Sequence, residues 1–306
     1  MHNVLQSMER HLLGQGPNLR LLVTALLAGG HVLLEGVPGL GKTRMARTLA
    51  CLAGGEFRRI QFTPDLMPSD ITGSVIFQMR DNEFQTVKGP VFTNVLLADE
   101  INRSGPKTQA ALLEAMEERQ VTIQGATYPL PDPFFVIATQ NPVEYEGTYP
   151  LPEAQLDRFM FKLVLDYPDE SSERNILRQH RSYMEQREET IEPLLTPDML
   201  REQQRRLADV VVEDSILAYI TAIVRRTRES RKVQLGASPR AGIAVLMASK
   251  AWALLDGRTF VTPDDVKLVA RPALRHRILL SAQTELEGGT SDVIIQEALA
   301  SAQVPR

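Results

Sequence analysis

Gly36-Val37-Pro38-Gly39-Leu40-Gly41-Lys42-Thr43 fits the pattern G-x-x-x-x-G-K-[ST] at every fixed position, and its flanks decide the fold. Upstream, His31-Val32-Leu33-Leu34-Glu35 is a short apolar run that reads as a buried strand. Downstream, Thr43-Arg44-Met45-Ala46-Arg47-Thr48-Leu49-Ala50 reads as a helix. Strand, glycine loop and helix in this order form a cradle for a triphosphate. The glycines let backbone N–H groups turn inward and approach phosphate oxygens closely. The helix N-terminus brings its positive end to the same spot. Lys42 then supplies a point charge to the β- and γ-phosphates, and the Thr43 hydroxyl reaches a magnesium ion. The nucleotide-contacting set expected from this stretch is Gly36, Pro38, Gly39, Leu40, Gly41, Lys42, Thr43 and Arg44. The competing reading is an accidental glycine-rich turn, and the strand and helix on its two sides argue against it.

Bulk properties bound what surrounds this loop. A chain of 306 residues has room for roughly two domains. With 43% hydrophobic and 24% charged residues it has the composition of a soluble globular protein. A formal net charge of -4 argues against nucleic acid as the main partner. The single cysteine, Cys51, has no internal disulfide partner and is expected as a small buried apolar residue of a chain built for the reducing cytoplasm. No apolar run reaches about 18 residues, so no membrane insertion is expected. The first ten residues lack the basic start and apolar core of a signal peptide.

Outward from the loop, strand and helix patterns alternate. Short apolar runs at Val32–Glu35, Arg58–Phe62, Val95–Asp99, Phe134–Thr139 and Phe161–Leu165 read as strands of a parallel sheet buried on both faces. Helices are expected at Leu19–Leu27, Thr43–Ala53 and Pro106–Glu118, the last with Pro106 in its first turn and Ser104 or Gly105 as cap. Two hairpins interrupt the alternation. One pairs Gly73–Phe77 with Glu83–Val87 around Asp81-Asn82, and the other pairs Gln120–Ile123 with Thr127–Leu130 around Gly125. After Asp166 strands give way to amphipathic helical segments near Glu170–Glu185, Pro197–Arg206, Asp214–Arg228, Pro239–Leu255 and Pro263–Ala270. The division expected is therefore 1–166 and 167–306.

Chemistry beyond the loop falls at strand ends. Asn94-Val95-Leu96-Leu97-Ala98-Asp99-Glu100 is an apolar strand that ends in two acids, at the sheet edge where open α/β folds bind ligands. Asp99 holds the magnesium ion, directly or indirectly, and Glu100 polarises the attacking water. Asn141, after the strand Phe134–Thr139, orients that water or touches the γ-phosphate; plain turn chemistry at Asn141-Pro142 is the alternative. Arg158, in Gln155-Leu156-Asp157-Arg158-Phe159, is a candidate arginine finger, against the alternative of a surface arginine paired with a nearby acid. Arg240, in Gly236-Ala237-Ser238-Pro239-Arg240, starts a helix where a cation is slightly unfavourable, which favours a role in reaching back to the nucleotide.

Together these strings resemble a MoxR-type AAA+ ATPase over nearly the whole chain, from Gly14-Gln15 to Leu274-Arg275-His276-Arg277. Gln61-Phe62-Thr63-Pro64-Asp65-Leu66-Met67-Pro68-Ser69-Asp70 adds to the likeness, as do Ala98-Asp99-Glu100-Ile101-Asn102-Arg103 and Ala138-Thr139-Gln140-Asn141-Pro142. The resemblance implies an α/β P-loop NTPase sandwich with a five-stranded parallel sheet in the order 5-1-4-3-2. It implies a helix-2 insert hairpin near Val75–Val87, a hairpin near Val121–Leu130 before the Asn141 strand, and a C-terminal all-helical lid carrying Arg240. It places Gln15 near adenine, and Arg158 on the ATP of a neighbour in a ring, a hexamer. ATP or ADP with Mg2+ are the implied cofactors, and a protein with a von Willebrand factor A domain is the implied partner.

The leading functional expectation is ATP hydrolysis that drives chaperone-like remodelling or maturation of protein complexes, metal insertion included. An ATP-gated adaptor with low turnover is the first alternative. A motor on nucleic acid is the second, resting on Arg225-Arg226-Thr227-Arg228-Glu229-Ser230-Arg231-Lys232, which lacks aromatic interleaving and reads first as a solvated helix end. The five histidines show no metal-ligand spacing.

Overall fold

A computed structural model describes residues 1–12, 14–80, 82–142, 147–183 and 191–305. The chain opens with α1 (His2–His11) and α2 (Gly16–Leu27). α1 lies outside the expected elements, because its buried stripe of Val4, Leu5 and Met8 is too short to stand out as a period. β1 (Val32–Glu35) runs into the glycine loop, and α3 (Lys42–Leu52) leaves it. β2 (Phe57–Gln61) leads to α4 (Pro68–Thr72), where the Asp70 carboxylate accepts the Met67 N–H at 2.8 Å. The first hairpin is β3 (Gly73–Gln78) with β4 (Glu83–Lys88); Asp81 of its expected turn lies outside the described residues. β5 (Val95–Asp99) is followed by α5 (Pro106–Glu118), which Gly105 precedes as cap. The second hairpin, β6 (Gln120–Ile123) with β7 (Ala126–Pro129), turns at Gln124 and Gly125 with φ of 47° and 84°. Two positive φ values match the twist of the flanking strands. β8 (Phe135–Gln140), α6 (Glu153–Leu156) and β9 (Phe161–Val164) follow.

The five-stranded sheet has the order β2-β5-β8-β1-β9. Counted by the core strands alone, that is the expected 5-1-4-3-2 read from the other edge. Its parallel register runs Phe57↔Val95 to Gln61↔Asp99 and Val95↔Phe135 to Ala98↔Ala138. Every residue of β5 is buried, as are Val32, Leu33 and Leu34 of β1. β2 departs from the expected burial on both faces: Arg58, Arg59 and Gln61 are exposed, because β2 is an edge strand.

The remaining elements are α7 (Glu170–Tyr183), α8 (Pro197–Arg205), α9 (Asp214–Glu229), β10 (Val233–Leu235), α10 (Pro239–Leu255), α11 (Pro263–Leu274), β11 (Leu279–Leu280), α12 (Ala282–Leu286) and α13 (Ser291–Ser301). The expected continuation of α7 to Glu185 lies outside the described residues. Hydroxyls cap five of these helices: Thr196 accepts the Met199 N–H, Ser238 the Ala241 N–H, Thr262 the Asp265 N–H, Ser281 the Thr284 N–H and Thr290 the Val293 N–H. The lid is helical with one addition, since β10 and β11 pair antiparallel through Val233↔Leu280 and Leu235↔Leu279. Strands of three and two residues carry no readable period. Cys51 is half-buried instead of buried.

The chain divides into two compact units that interleave along the sequence, where a single cut after 166 is the sequence expectation. One comprises Met1–Val23, Leu33–Leu151 and Val164–Arg201; the other comprises Thr24–Val32, Pro152–Leu163 and Glu202–Arg306. Long-range hydrogen bonds inside each unit explain the grouping. In the first, the Leu194 and Leu195 N–H groups donate to the Leu52 carbonyl at 3.0 and 3.1 Å. In the second, Gln204 Nε2 donates to the Leu26 carbonyl at 2.8 Å and the Met160 N–H to the His31 carbonyl at 2.8 Å. The core of the first unit includes Leu34, Leu49, Leu97, Leu113 and Ile137; that of the second includes Tyr219, Ile223, Val245, Val266 and Ile295.

Candidate active site

The glycine loop is shaped for an anion before any anion arrives. Gly39 and Gly41 have φ of 88° and 79°, in the left-handed region that side-chain-bearing residues avoid. A Cβ at either would meet nothing within 4 Å, so space opens over the loop. Gly41 is the N-cap of α3 and no side chain caps that helix end. The first N–H groups of α3 are thus left for a ligand. Lys42 and Arg44 add cations to the first turn, unfavourable beside the helix dipole unless an anion sits there. Lys42 Nζ donates to the Gly36 carbonyl at 2.7 Å, which folds its side chain back along the loop. Gly36 permits close packing: a Cβ there would lie 2.9 Å from the Leu165 carbonyl oxygen.

Sheet order sets the neighbours of the loop. β8 lies beside β1 and β5 beside β8, so the ends carrying Gly36, Asn141 and Asp99-Glu100 fall along one edge. The Gly36 N–H donates to the Gln140 carbonyl at 3.4 Å, and the Gln140 side-chain amide donates to the Glu35 carboxylate. Asn141 is buried.

The two acids are held by different partners. The Thr139 hydroxyl donates to Asp99 Oδ1 at 2.6 Å and accepts the Glu100 N–H at 2.9 Å. That pair of bonds helps fix Glu100 at a φ of 58°, a left-handed conformation costing of order 1 kcal/mol for a non-glycine residue. Arg59 Nη2 donates to Asp99 Oδ2 at 2.7 Å and its Nε at 3.1 Å. Glu100 Oε2 accepts from Gln61 Nε2 at 2.7 Å and from Arg103 Nη1 at 3.1 Å. Arg59, Gln61, Thr139 and Arg103 are the residues that sequence reasoning assigned no role. A signal existed for two of them: Arg59 and Gln61 share one face of a strand expected to be apolar on both.

The other expected residues are placed as follows. Gln15 is buried; its Nε2 donates to the Asp166 carbonyl at 3.3 Å and its Oε1 accepts from Asn18 Nδ2 at 3.0 Å. Arg158 and Arg240 belong to the second compact unit, Arg158 half-buried after α6 and Arg240 exposed in the first turn of α10. The structure therefore groups the loop, Asp99, Glu100 and Asn141 in one unit and the two arginines in the other. Thr43 and Asp99 offer hard oxygen donors, the type that suits magnesium. Among the described residues no group of three or more His, Cys, Asp or Glu could hold a metal ion.

Loop, sheet order and acidic strand end define a P-loop ATPase of the AAA+ class. Comparison with known proteins agrees. The family described as "ATPase family associated with various cellular activities (AAA)" matches residues 31–161, and the "AAA lid domain" matches residues 225–298. The chain is 50% identical over 302 residues to the uncharacterized protein YeaC of Bacillus subtilis (strain 168), covering 98% of this chain and 93% of that protein. It is 42% identical over 315 residues to chaperone MoxR1 of Mycobacterium tuberculosis, covering 100% and 82% respectively. It is 31% identical to protein MoxR of Methylorubrum extorquens, covering 92% and 88%. A crystal structure of a proposed ATPase from Cytophaga hutchinsonii matches with a TM-score of 0.91 at 41% identity, over 99% of this chain and 94% of that one. The chain belongs to the MoxR family of AAA+ ATPases. It binds nucleotide and is an ATP-hydrolysing enzyme.

Proposed function

We propose that magnesium-dependent ATP hydrolysis by this chain drives chaperone-like remodelling or maturation of partner protein complexes, metal insertion among them, in the cytoplasm. The working form is a homo-oligomeric ring, a hexamer, acting with a partner that carries a von Willebrand factor A domain. Residues 1–166 serve as the ATP-binding core and 167–306 as the lid. The observation that carries the reading is the uncapped N-terminus of α3, with open space over Gly39 and Gly41, on the sheet edge that also bears Asp99 and Glu100. Similarity to a protein named as a chaperone supports the remodelling role.

Thr43 and Asp99 would hold magnesium, which neutralises charge on the β- and γ-phosphate oxygens. Lys42 exchanges the Gly36 carbonyl for those oxygens. Glu100 leaves Gln61 and Arg103 and takes the proton of the attacking water. Asn141 orients that water or touches the γ-phosphate. Arg158 offsets transition-state charge on a neighbour's ATP, and Arg240 does so on its own protomer's. Gln15 lies near adenine.

Replacing Glu100 with Gln is expected to keep ATP binding and to lower turnover by about 100-fold or more. Binding calorimetry and phosphate release on the same preparation test this; undiminished hydrolysis removes Glu100 from its role. One observation favours the adaptor reading: Glu100 Oε2 accepts hydrogen bonds from both Gln61 and Arg103, which it must give up before it can act as a base. Wild-type turnover that stays near zero while nucleotide still binds would support that reading.

A further inference from the structure

Leu274-Arg275-His276-Arg277 ends α11 with two buried side chains that the reaction does not use. The Arg277 side chain is only 3% exposed, and all five of its N–H groups have acceptors. Nε donates to Asp157 Oδ1 at 2.6 Å. Nη2 donates to the carbonyls of Asp157 and Phe159, each at 2.9 Å. Nη1 donates to the carbonyls of Met160 at 3.3 Å and of Ala273 at 2.6 Å. His276 Nε2 adds a second donor to the Phe159 carbonyl at 2.9 Å. The backbone on both sides of Arg158 is therefore fixed by one guanidinium and one imidazole. Such a fork is costly to bury, so it constrains the geometry it satisfies.

The same carboxylate faces a second element. Asp157 Oδ2 accepts the Ser238 hydroxyl at 3.4 Å, and Ser238 is the N-cap of α10, whose first turn carries Arg240. Burial lowers the pKa of Arg277 and the charge of Arg240 lowers it further, while Asp157 opposes both. All of these residues lie within one compact unit.

We propose that Asp157 is a positioning residue that couples Arg240 to Arg158: one carboxylate oxygen holds the Arg158 segment through Arg277, and the other reads the start of α10 through Ser238. The inference rests on the reading of Arg158 as acting on a neighbour's ATP and Arg240 on its own protomer's. Nucleotide that draws on Arg240 shifts the first turn of α10, changes the Ser238–Asp157 contact, and so alters the hold on residues 157–160. Occupancy of one site then sets the finger offered to the next.

The test uses rings assembled from two variants of the full chain. Asp157→Asn keeps the side-chain shape and removes the charge. Alone, it is expected to lower kcat by about 10-fold or more with KM close to wild type. Mixed with excess Glu100→Gln, its activity per Asp157→Asn subunit, after subtraction of the residual Glu100→Gln rate, is expected to recover, because Glu100→Gln neighbours contribute little hydrolysis themselves yet offer intact fingers. A fold-wide defect would not recover in this way. Arg277→Lys, which keeps a cation but loses the fork, is expected to behave the same and replaces Asp157→Asn if that variant does not fold. Arg158→Ala calibrates the mix. Recovery of Arg158→Ala without recovery of Asp157→Asn or Arg277→Lys overturns the positioning role alone. Wild-type turnover in Arg158→Ala, or its failure to recover, overturns the reading of Arg158 and the coupling with it. Ser238→Ala is expected to lower kcat by several-fold and to recover likewise; unchanged kcat in that variant overturns the link to α10.

Discussion

Asp99 and Glu100 are adjacent in sequence yet answer to different neighbours, Arg59 with Thr139 for the first and Gln61 with Arg103 for the second. The acids themselves were legible, because an apolar run ending in two carboxylates follows a phosphate loop in the same chain; alone it would read equally well as a solvated Asp-Glu pair. Their partners were not, since Thr139 lies 40 positions from Asp99 and only sheet register brings them together. His276 carries a prediction at the same scale. Burial pushes its pKa well below the ordinary value of 6.5, and the charge of Arg277 pushes it further, so the folded protein holds it neutral. The unfolded chain takes up a proton as pH falls through that ordinary value, while the folded chain does not. Stability is thus complete above about pH 6.5 and declines below it, by at most about 1.4 kcal/mol per pH unit. Urea denaturation at pH 7 and pH 5.5 is expected to show wild type losing about 1 kcal/mol more than His276→Gln. Equal losses in the two proteins would count against a buried neutral imidazole.

Elements were legible in proportion to how sharply turn residues bound them. β1 and β5 match their expected limits, Val32–Glu35 and Val95–Asp99, because His31 and Gly36 bound the first apolar run and Asn94 and Glu100 the second. β2 slides by one residue, since Phe57 and Phe62 offer equivalent apolar ends. β10 and β11 are too short to be read at all. The loop between β1 and α3 yields a prediction that separates crowding from backbone strain. In Gly36→Ala the new Cβ would press on the Leu165 carbonyl, whose own N–H is tied to the Glu35 carbonyl at 2.8 Å. Overpacking of that kind costs about 1–3 kcal/mol and shifts the loop. Gly39→Ala meets open space but must hold a φ of 88°, costing about 1 kcal/mol. Thermal unfolding is expected to rank Gly36→Ala as the less stable, with ATP affinity reduced in both. Full affinity in Gly39→Ala would show that the space above the loop is not where phosphate binds.

At the scale of the whole molecule, family and fold were legible because six separate strings agree, whereas the interleaving of the two compact units was not. That grouping depends on contacts such as Gln204 to Leu26 and Arg277 to Asp157, which no local pattern announces. If Arg158 completes a neighbour's site, ATPase activity per subunit is expected to rise with protein concentration over the range in which sedimentation shows the ring assembling. Flat activity across that range would contradict the trans role. Beneath every step lies the claim that the glycine loop and α3 bind the triphosphate. Calorimetric titration of ATP with magnesium into folded Glu100→Gln protein tests it most directly, since nothing is consumed. The account predicts saturable uptake at one site per chain, weakened by about 100-fold or more when Lys42 is also changed to Ala. No saturable uptake, or uptake indifferent to Lys42, would contradict it.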